Sequence, residues 1–167
     1  MKRKLCIAVC IGCIVLTAAF IFYNSAQPVP ESQKASASVA DTIASISPNG
    51  GEAPDGWSSF AAYIRKAAHA VEFFVLGTQL SVLFFILFRK HNAQAVWNVL
   101  SLALCTAVAD ESIQILSGRG PKVQDVLLDF CGALCATAAV GILVLICHIG
   151  YKAIKRNKSA YADDDRG

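Results

Sequence analysis

Four long apolar runs, separated by polar segments, dominate the hydropathy pattern of the chain. They extend over residues 5–23, 67–88, 93–116 and 126–149. A helix of about 20 residues crosses the hydrocarbon core of a bilayer. Lipid offers no hydrogen-bond partner to a peptide group outside a helix or a closed barrel. The pattern therefore predicts an all-α integral membrane protein, built as a bundle of about four transmembrane helices.

Composition supports a lipid environment. Hydrophobic residues make up 55% of the 167 residues and charged residues 16%, whereas a soluble domain carries about 25% charged residues. The Lys and Arg residues lie at the ends of the apolar runs and form no stripe with interleaved aromatic residues, which argues against a nucleic-acid partner. The lipid bilayer is therefore the predicted partner, and the oligomeric state stays open.

The seven cysteines all lie within the apolar runs. Cys10 and Cys13 have the spacing of a redox or metal pair, but no histidine or acid accompanies them in that run. Cysteine in an apolar helix behaves as a small hydrophobic residue. We therefore predict neither a disulfide framework nor a zinc site, and we predict no cofactor.

The runs and the segments between them divide the chain into four parts. We predict a transmembrane helix over residues 1–23, an extracytoplasmic polar linker over 24–56, a core of three transmembrane helices over 57–149, and a basic then acidic cytoplasmic tail over 150–167. Trp57, Phe60 and Tyr63 predict that the second helix begins outside the membrane, at interface depth. A signal peptide cleaved after Ala26 is the alternative for the first run, which exceeds the usual apolar length of about 7–15 residues.

The distribution of Lys and Arg predicts the orientation, because cytoplasmic loops carry an excess of these residues. With the N-terminus in the cytoplasm, ten of the fifteen lie inside: Lys2, Arg3, Lys4, Arg89, Lys90, Lys152, Lys155, Arg156, Lys158 and Arg166. The five outside are Lys34, Arg65, Lys66, Arg119 and Lys122. We therefore predict that both termini are cytoplasmic.

Charged and amide side chains interrupt the apolar pattern near one end of three helices, and the predicted topology places them all at the outer end. The ten candidate binding residues, named here the polar cluster, are Lys66, His69, Glu72, Asp110, Glu111, Gln114, Arg119, Lys122, Asp125 and Asp129. Spacings of three or four residues place three pairs on shared helix faces: His69 with Glu72, Asp110 with Gln114, and Asp125 with Asp129.

Small residues continue the helix face that carries Asp129. Gly132 and Ala136 follow at helical steps, and small residues let a neighbouring helix come close. We therefore expect the acids to face protein and not lipid.

A charged side chain at the centre of a membrane helix costs about 2.5–3.5 kcal/mol on insertion scales, so the polar cluster needs partners. Three hypotheses follow. In the first, Lys66, Arg119 and Lys122 bind an anionic headgroup or a cell-wall precursor, and the acids hold them in place. In the second, an intramembrane enzyme uses His69 as a general base, oriented by Asp110 or Asp125. In the third, the charges form an ion-pair network that only joins the helices.

The binding hypothesis is the preferred one. No Ser or Cys nucleophile motif accompanies His69, so the sequence does not support covalent catalysis, and whether any reaction is catalysed stays open. A metal held by His69, Glu72, Asp110 and Asp125 is chemically feasible. One histidine among scattered acids is nevertheless a weak ligand pattern, and we predict no metal.

Three segments resemble those of the VanZ-like family of bacterial membrane proteins. "RKAAHAVEFFVLG" at residues 65–77 resembles its Lys-x-x-His motif, and "NSAQPVPESQKAS" resembles the Ser-x-Gln segment after its first helix. "DESIQILSGRGPKVQDVLLDFCGA" at residues 110–133 resembles its series Asp-Glu-x-x-Gln, Gly-Arg and Asp-Val-x-x-Asp/Asn-x-x-Gly. Two positions depart from the family pattern, since Glu72 stands where many members have Tyr and Ser117 where Pro is common.

The resemblance implies a multi-pass protein of the bacterial plasma membrane with a role in the cell envelope. The family's founding member is associated with resistance to teicoplanin, a glycopeptide antibiotic that acts on cell-wall precursors outside the cell. We therefore expect an outward-facing polar cluster that binds an anionic headgroup or a wall precursor and contributes to glycopeptide resistance.

Overall fold

The computed structural model describes residues 2–28, 57–88, 92–117 and 122–164, together with positions 30, 34, 36–39 and 41–42. For residues 57–59 and 157–164 only the backbone is described. Four long helices account for most of this part of the chain: α1 (Lys2–Ala26), α2 (Trp57–Leu87), α3 (Asn92–Leu116) and α4 (Val123–Asp164). No strand occurs in it, and all four helices are long and apolar enough to cross a membrane. The all-α membrane fold predicted from the hydropathy pattern is confirmed.

The helices extend beyond the apolar runs that predicted them. α2 begins at Trp57, as its aromatic residues predicted, and not at the first residue of the apolar run. α4 continues past Ile149 to Asp164, through the segment predicted as a tail. Hydropathy cannot show this continuation, because a formed helix is extended at little cost by Ala, Lys and Arg even where its side chains are polar.

α2 is the central helix of the bundle. It packs against α1, α3 and α4, and its largest interface is with α4. That interface is close because it contains small residues: a Cβ added to Gly77 would lie 2.7 Å from the Cα atom of Ala133, and one added to Gly132 would overlap the carbonyl oxygen of Ala70. The close approach that the small-residue face of α4 predicted is therefore present.

The apolar core runs along the interior of the bundle. Phe73, Leu76 and Leu80 of α2 lie in it beside Ile21 of α1 and Val99 of α3. Alanines occupy several other interior positions, and large exposed apolar side chains cover the outer surface of every helix. This distribution is that of a bundle whose surrounding solvent is lipid.

Successive helices run in opposite directions. At one end of the bundle, Arg3 Nη2 donates to the carbonyl oxygen of Ile86 at 3.1 Å, which places the start of α1 beside the end of α2. At the other end, Asn24 Nδ2 donates to Glu72 Oε1 at 2.8 Å. The start of α1 and the polar cluster therefore lie at opposite ends. That the cluster end faces outside the cell stays a prediction from the Lys and Arg counts.

Candidate functional site

The polar cluster begins with an ion pair between α2 and α4. Lys66 Nζ lies 3.2 Å from Asp125 Oδ1, and the two side chains are 37% and 22% exposed. The two atoms are close but are not aligned as a hydrogen bond. An ion pair at this exposure contributes about 0.2–1 kcal/mol, so it positions the two helices more than it stabilises them.

His69 and Glu72 lie one turn further into the bundle, on the same face of α2. His69 Nδ1 is 3.5 Å from Glu72 Oε2, an ion-pair distance when the imidazole is protonated, without hydrogen-bond alignment. The other oxygen of Glu72 accepts the hydrogen bond from Asn24. The i,i+3 spacing brings His69 and Glu72 together, and the packing of α1 against α2 places the Asn24 amide beside Glu72.

α3 contributes three polar side chains to its buried face. Gln114 Nε2 donates to Asp110 Oδ2 at 2.7 Å, across the spacing of four residues. The same nitrogen lies 3.5 Å from Ser25 Oγ, and Ser117 Oγ donates to the carbonyl oxygen of Ser25 at 3.2 Å. Glu111 lies beside Asp110 and is also buried. The end of α1 is therefore joined to the end of α3 through Ser25.

Glu111 holds the start of α4. Its Oε1 accepts a hydrogen bond from the backbone nitrogen of Lys122 at 2.7 Å, directly before Val123, the first residue of that helix. A carboxylate at this position satisfies a free N–H group and interacts favourably with the helix dipole. The acid thus has a structural partner, although its Oε2 has none in the described part of the chain.

Asp129 completes the site from α4. It is 3% exposed, and its Oδ1 has no hydrogen-bond partner among the described residues. One donor atom each from His69, Asp110 and Asp129 lies within 4.8 Å of the other two. Three helices therefore direct one imidazole and two buried carboxylates to a common point.

A cavity of about 390 Å³ opens beside this point, between the end of α1 and the first turns of α2. Arg65, His69 and Glu72 form its α2 wall, and Tyr23 and Asn24 form its α1 wall. The remaining lining residues are Gln27, Ser36, Val39, Ile64 and Ala68. The volume lies within the range of small-molecule pockets, about 300–1,000 Å³.

The structure brings together most of the residues that the sequence singled out. Nine of the ten members of the polar cluster are described, and all nine lie at the same end of the bundle; Arg119 lies outside the described residues. Lys122 takes part through its backbone, and its side chain is exposed. The carboxylate nearest to His69 is Glu72, whereas the sequence had named Asp110 or Asp125 as its orienting acid.

Three residues of the site were not among the candidates. Asn24 and Ser25 were assigned to the linker, and Arg65 was counted among the outer charges but not among the candidate binding residues. The signal was present, since Asn24 and Ser25 end the apolar run of α1 at the depth at which the polar cluster begins in the other helices. Glu72 and Ser117, the two departures from the family pattern, contact Asn24 and Ser25 respectively.

Comparison with known proteins gives one match. A family model described as VanZ/LLP1 matches residues 10–146. The matched range contains all of α2 and α3 and every residue of the polar cluster. No curated protein and no solved structure matches the chain.

Proposed function

We propose that this chain, which belongs to the VanZ/LLP1 family, is a multi-pass protein of the bacterial plasma membrane that binds an anionic group of the cell envelope. Four of its helices are long and apolar enough to cross a membrane. The ligand is the headgroup of a lipid or the phosphate-bearing part of a cell-wall precursor. The polar cluster and the cavity beside it form the binding site, on the outer face.

The main support for this proposal is the position of Arg65. Its side chain lines the cavity, and it forms no ion pair with a carboxylate in the part of the chain that the structure describes. A guanidinium group that lines a cavity and pairs with no described carboxylate is suited to phosphate or carboxylate, which it binds through two parallel hydrogen bonds.

Two acids at this end of α2 and α4, Glu72 and Asp125, have partners that offset their charge. Glu72 has Asn24 as a hydrogen-bond donor and His69 as a neighbour, and Asp125 is paired with Lys66. These contacts offset part of the negative charge at the α2 wall, and Arg65 is the cation of that wall. The apolar lining residues provide contact for the non-polar part of a lipid or precursor.

The structural hypothesis accounts for part of the same geometry. Hydrogen bonds and ion pairs at the polar cluster join α1 to α2, α1 to α3 and α2 to α4. A purely structural network would pair its cations with its acids, and Arg65 is left out of such pairing among the described residues. This favours a site that takes a ligand.

We expect the protein to raise the resistance of a sensitive host to teicoplanin and Arg65→Gln to return resistance to the level of the empty vector. Glutamine keeps the length and polarity of the side chain but removes the charge that binds the anion. The measurement is the minimal inhibitory concentration, with the amount of protein in the membrane quantified in parallel. Arg3→Gln is the matched control, since Arg3 lies at the opposite end of the bundle.

Each outcome separates the hypotheses. Loss of resistance at an unchanged amount of protein supports the binding site. Loss of the protein itself supports a structural network. Absence of resistance from the unmodified protein contradicts the proposed contribution to glycopeptide resistance.

A further inference from the structure

His69, Asp110 and Asp129 converge on one point of the bundle, where the two carboxylates have no ion-pair partner among the described Lys and Arg residues. One donor atom from each lies within 4.8 Å of the other two. Donor atoms bound to one cation at about 2.0–2.2 Å lie roughly 3–4 Å apart, so small side-chain movements are enough to bring the three into a coordination shell. The three come from three different helices, and the packing of the bundle therefore sets their distances.

Two of the three groups are carboxylates that water does not reach. Asp110 is fully buried and Asp129 is 3% exposed. Asp110 uses Oδ2 to accept from Gln114, but neither its Oδ1 nor Oδ1 of Asp129 has a hydrogen-bond partner among the described residues. Within that part of the chain, no Lys or Arg forms an ion pair with either.

Two buried carboxylates that face each other without a cation destabilise a fold unless their charge is neutralised. One divalent cation neutralises both and uses the unpartnered oxygens as ligands. We propose that His69, Asp110 and Asp129 bind a divalent metal ion. An imidazole nitrogen with two carboxylate oxygens suits Zn²⁺ or Mn²⁺ better than the all-oxygen sites typical of Mg²⁺ and Ca²⁺.

The surrounding groups support this assignment. Gln114 fixes the orientation of Asp110 through its hydrogen bond at 2.7 Å. Glu72 Oε2 lies 3.5 Å from His69 Nδ1, and a carboxylate beside one ring nitrogen is the usual outer partner of a metal-binding histidine. His69 also lines the cavity, so the ion lies at its edge. Three protein ligands leave coordination positions for water or an anion; only this last point rests on the proposed function.

The test measures metal binding directly, without any assay of resistance or lipid binding. The full chain is purified with a histidine-free tag, stripped with a chelator and titrated with Zn²⁺ or Mn²⁺ alone. The bound ion is counted by mass spectrometry after gel filtration, and Mn²⁺ is also followed by electron paramagnetic resonance. We expect one ion per chain and a rise in the thermal unfolding temperature when the metal is added.

Substitutions locate the ion. We expect His69→Gln, Asp110→Asn and Asp129→Asn each to weaken binding at least about tenfold, since loss of even an outer partner of a metal site costs about 10–100-fold in affinity. His148→Gln and Asp41→Asn are the matched controls, because both residues are exposed and outside the convergence. Both should bind as the unmodified protein does.

The proposal is overturned if the unmodified, folded protein retains much less than one ion per chain, or if the control variants lose the ion to the same extent. Failure of a single variant to fold leaves the test intact, because the titration of the unmodified chain and the two remaining variants still decide. If the protein binds the metal but gives no resistance, the metal site is supported and the proposed contribution to resistance is contradicted.

Discussion

Asp129 is the residue that most clearly separates this site from a simple ion-pair network. It is almost fully buried, and two described cations of the polar cluster do not pair with it: Lys66 lies beside Asp125, and the side chain of Lys122 is exposed. An ionised carboxylate in this position destabilises the fold unless a bound cation neutralises it. Sites that sacrifice stability in this way are commonly functional.

We expect Asp129→Asn to raise the thermal unfolding temperature of the metal-free protein. Asparagine has nearly the same shape and removes the buried charge, and each kcal/mol recovered raises the unfolding temperature by about 2–4 °C in a chain of this size. The measurement is thermal unfolding in detergent with a chelator present. His148→Gln, which changes an exposed side chain of the same helix, should have no effect, and a fall in the unfolding temperature of Asp129→Asn would show that the carboxylate is structural.

Whether a contact of the site could be predicted depends on how far apart in the sequence its two residues are. The spacing of four residues is enough to predict the Asp110–Gln114 pair, since any helix brings such residues together. The contacts of Asn24 with Glu72 and of Ser25 with Gln114 join residues 48 and 89 positions apart. No local pattern contains that information, because it depends on how α1 packs against the other helices.

At the scale of the elements, the close contact of α2 and α4 aligns two helices that together carry five of the ten residues of the polar cluster. Gly132 lies three residues after Asp129, and the carbonyl of Ala70 occupies the space where its Cβ would be. Ala70 follows His69 directly. The glycine therefore allows the helices to approach at the depth where Asp129 and His69 converge.

We expect Gly132→Ala to destabilise the protein, because an added methyl group in a packed interface costs about 1–3 kcal/mol. Gly141→Ala in the same helix is the matched control. Nothing lies within 4 Å of the position its Cβ would take, and alanine favours a helix over glycine by about 1 kcal/mol. Thermal unfolding of both variants in detergent tests this, and equal stability of the two would contradict the proposed role of the contact.

The hydropathy pattern was enough to predict that four helices exist, but not where they end. The start of α2 was predicted because aromatic residues mark the membrane interface. The continuation of α4 to Asp164 was missed because its last turns are polar, and a hydropathy pattern detects lipid contact and not helical structure. The interfaces between helices were suggested only where small residues follow an acid, as at Gly132.

At the scale of the whole molecule, the bundle has two chemically different ends. One end joins the polar cluster to Asn24 and Ser25 of α1, beside the cavity. The opposite end contains Arg3 and, on α4, the basic residues Lys152, Lys155 and Arg156, which suit the anionic cytoplasmic leaflet. This asymmetry supports the proposed orientation, in which the cluster meets envelope components outside the cell.

Retention of an anionic ligand by the purified protein tests the proposed binding site without any assay of resistance. The protein is placed in nanodiscs with phosphatidylglycerol or a polyprenyl diphosphate, against phosphatidylcholine as the neutral reference, and retained molecules are counted by native mass spectrometry. The two anionic arms distinguish a lipid headgroup from a wall precursor. Arg156→Gln is the control for ligand held by the basic segment of α4.

We expect one tightly retained anionic molecule per chain and at least about tenfold weaker retention by Arg65→Gln, since a hydrogen bond to a charged group contributes about 1.5–3 kcal/mol. Arg156→Gln should keep that molecule. Equal retention by Arg65→Gln and the unmodified protein would contradict the account, because the cavity beside the polar cluster would then not be the binding site.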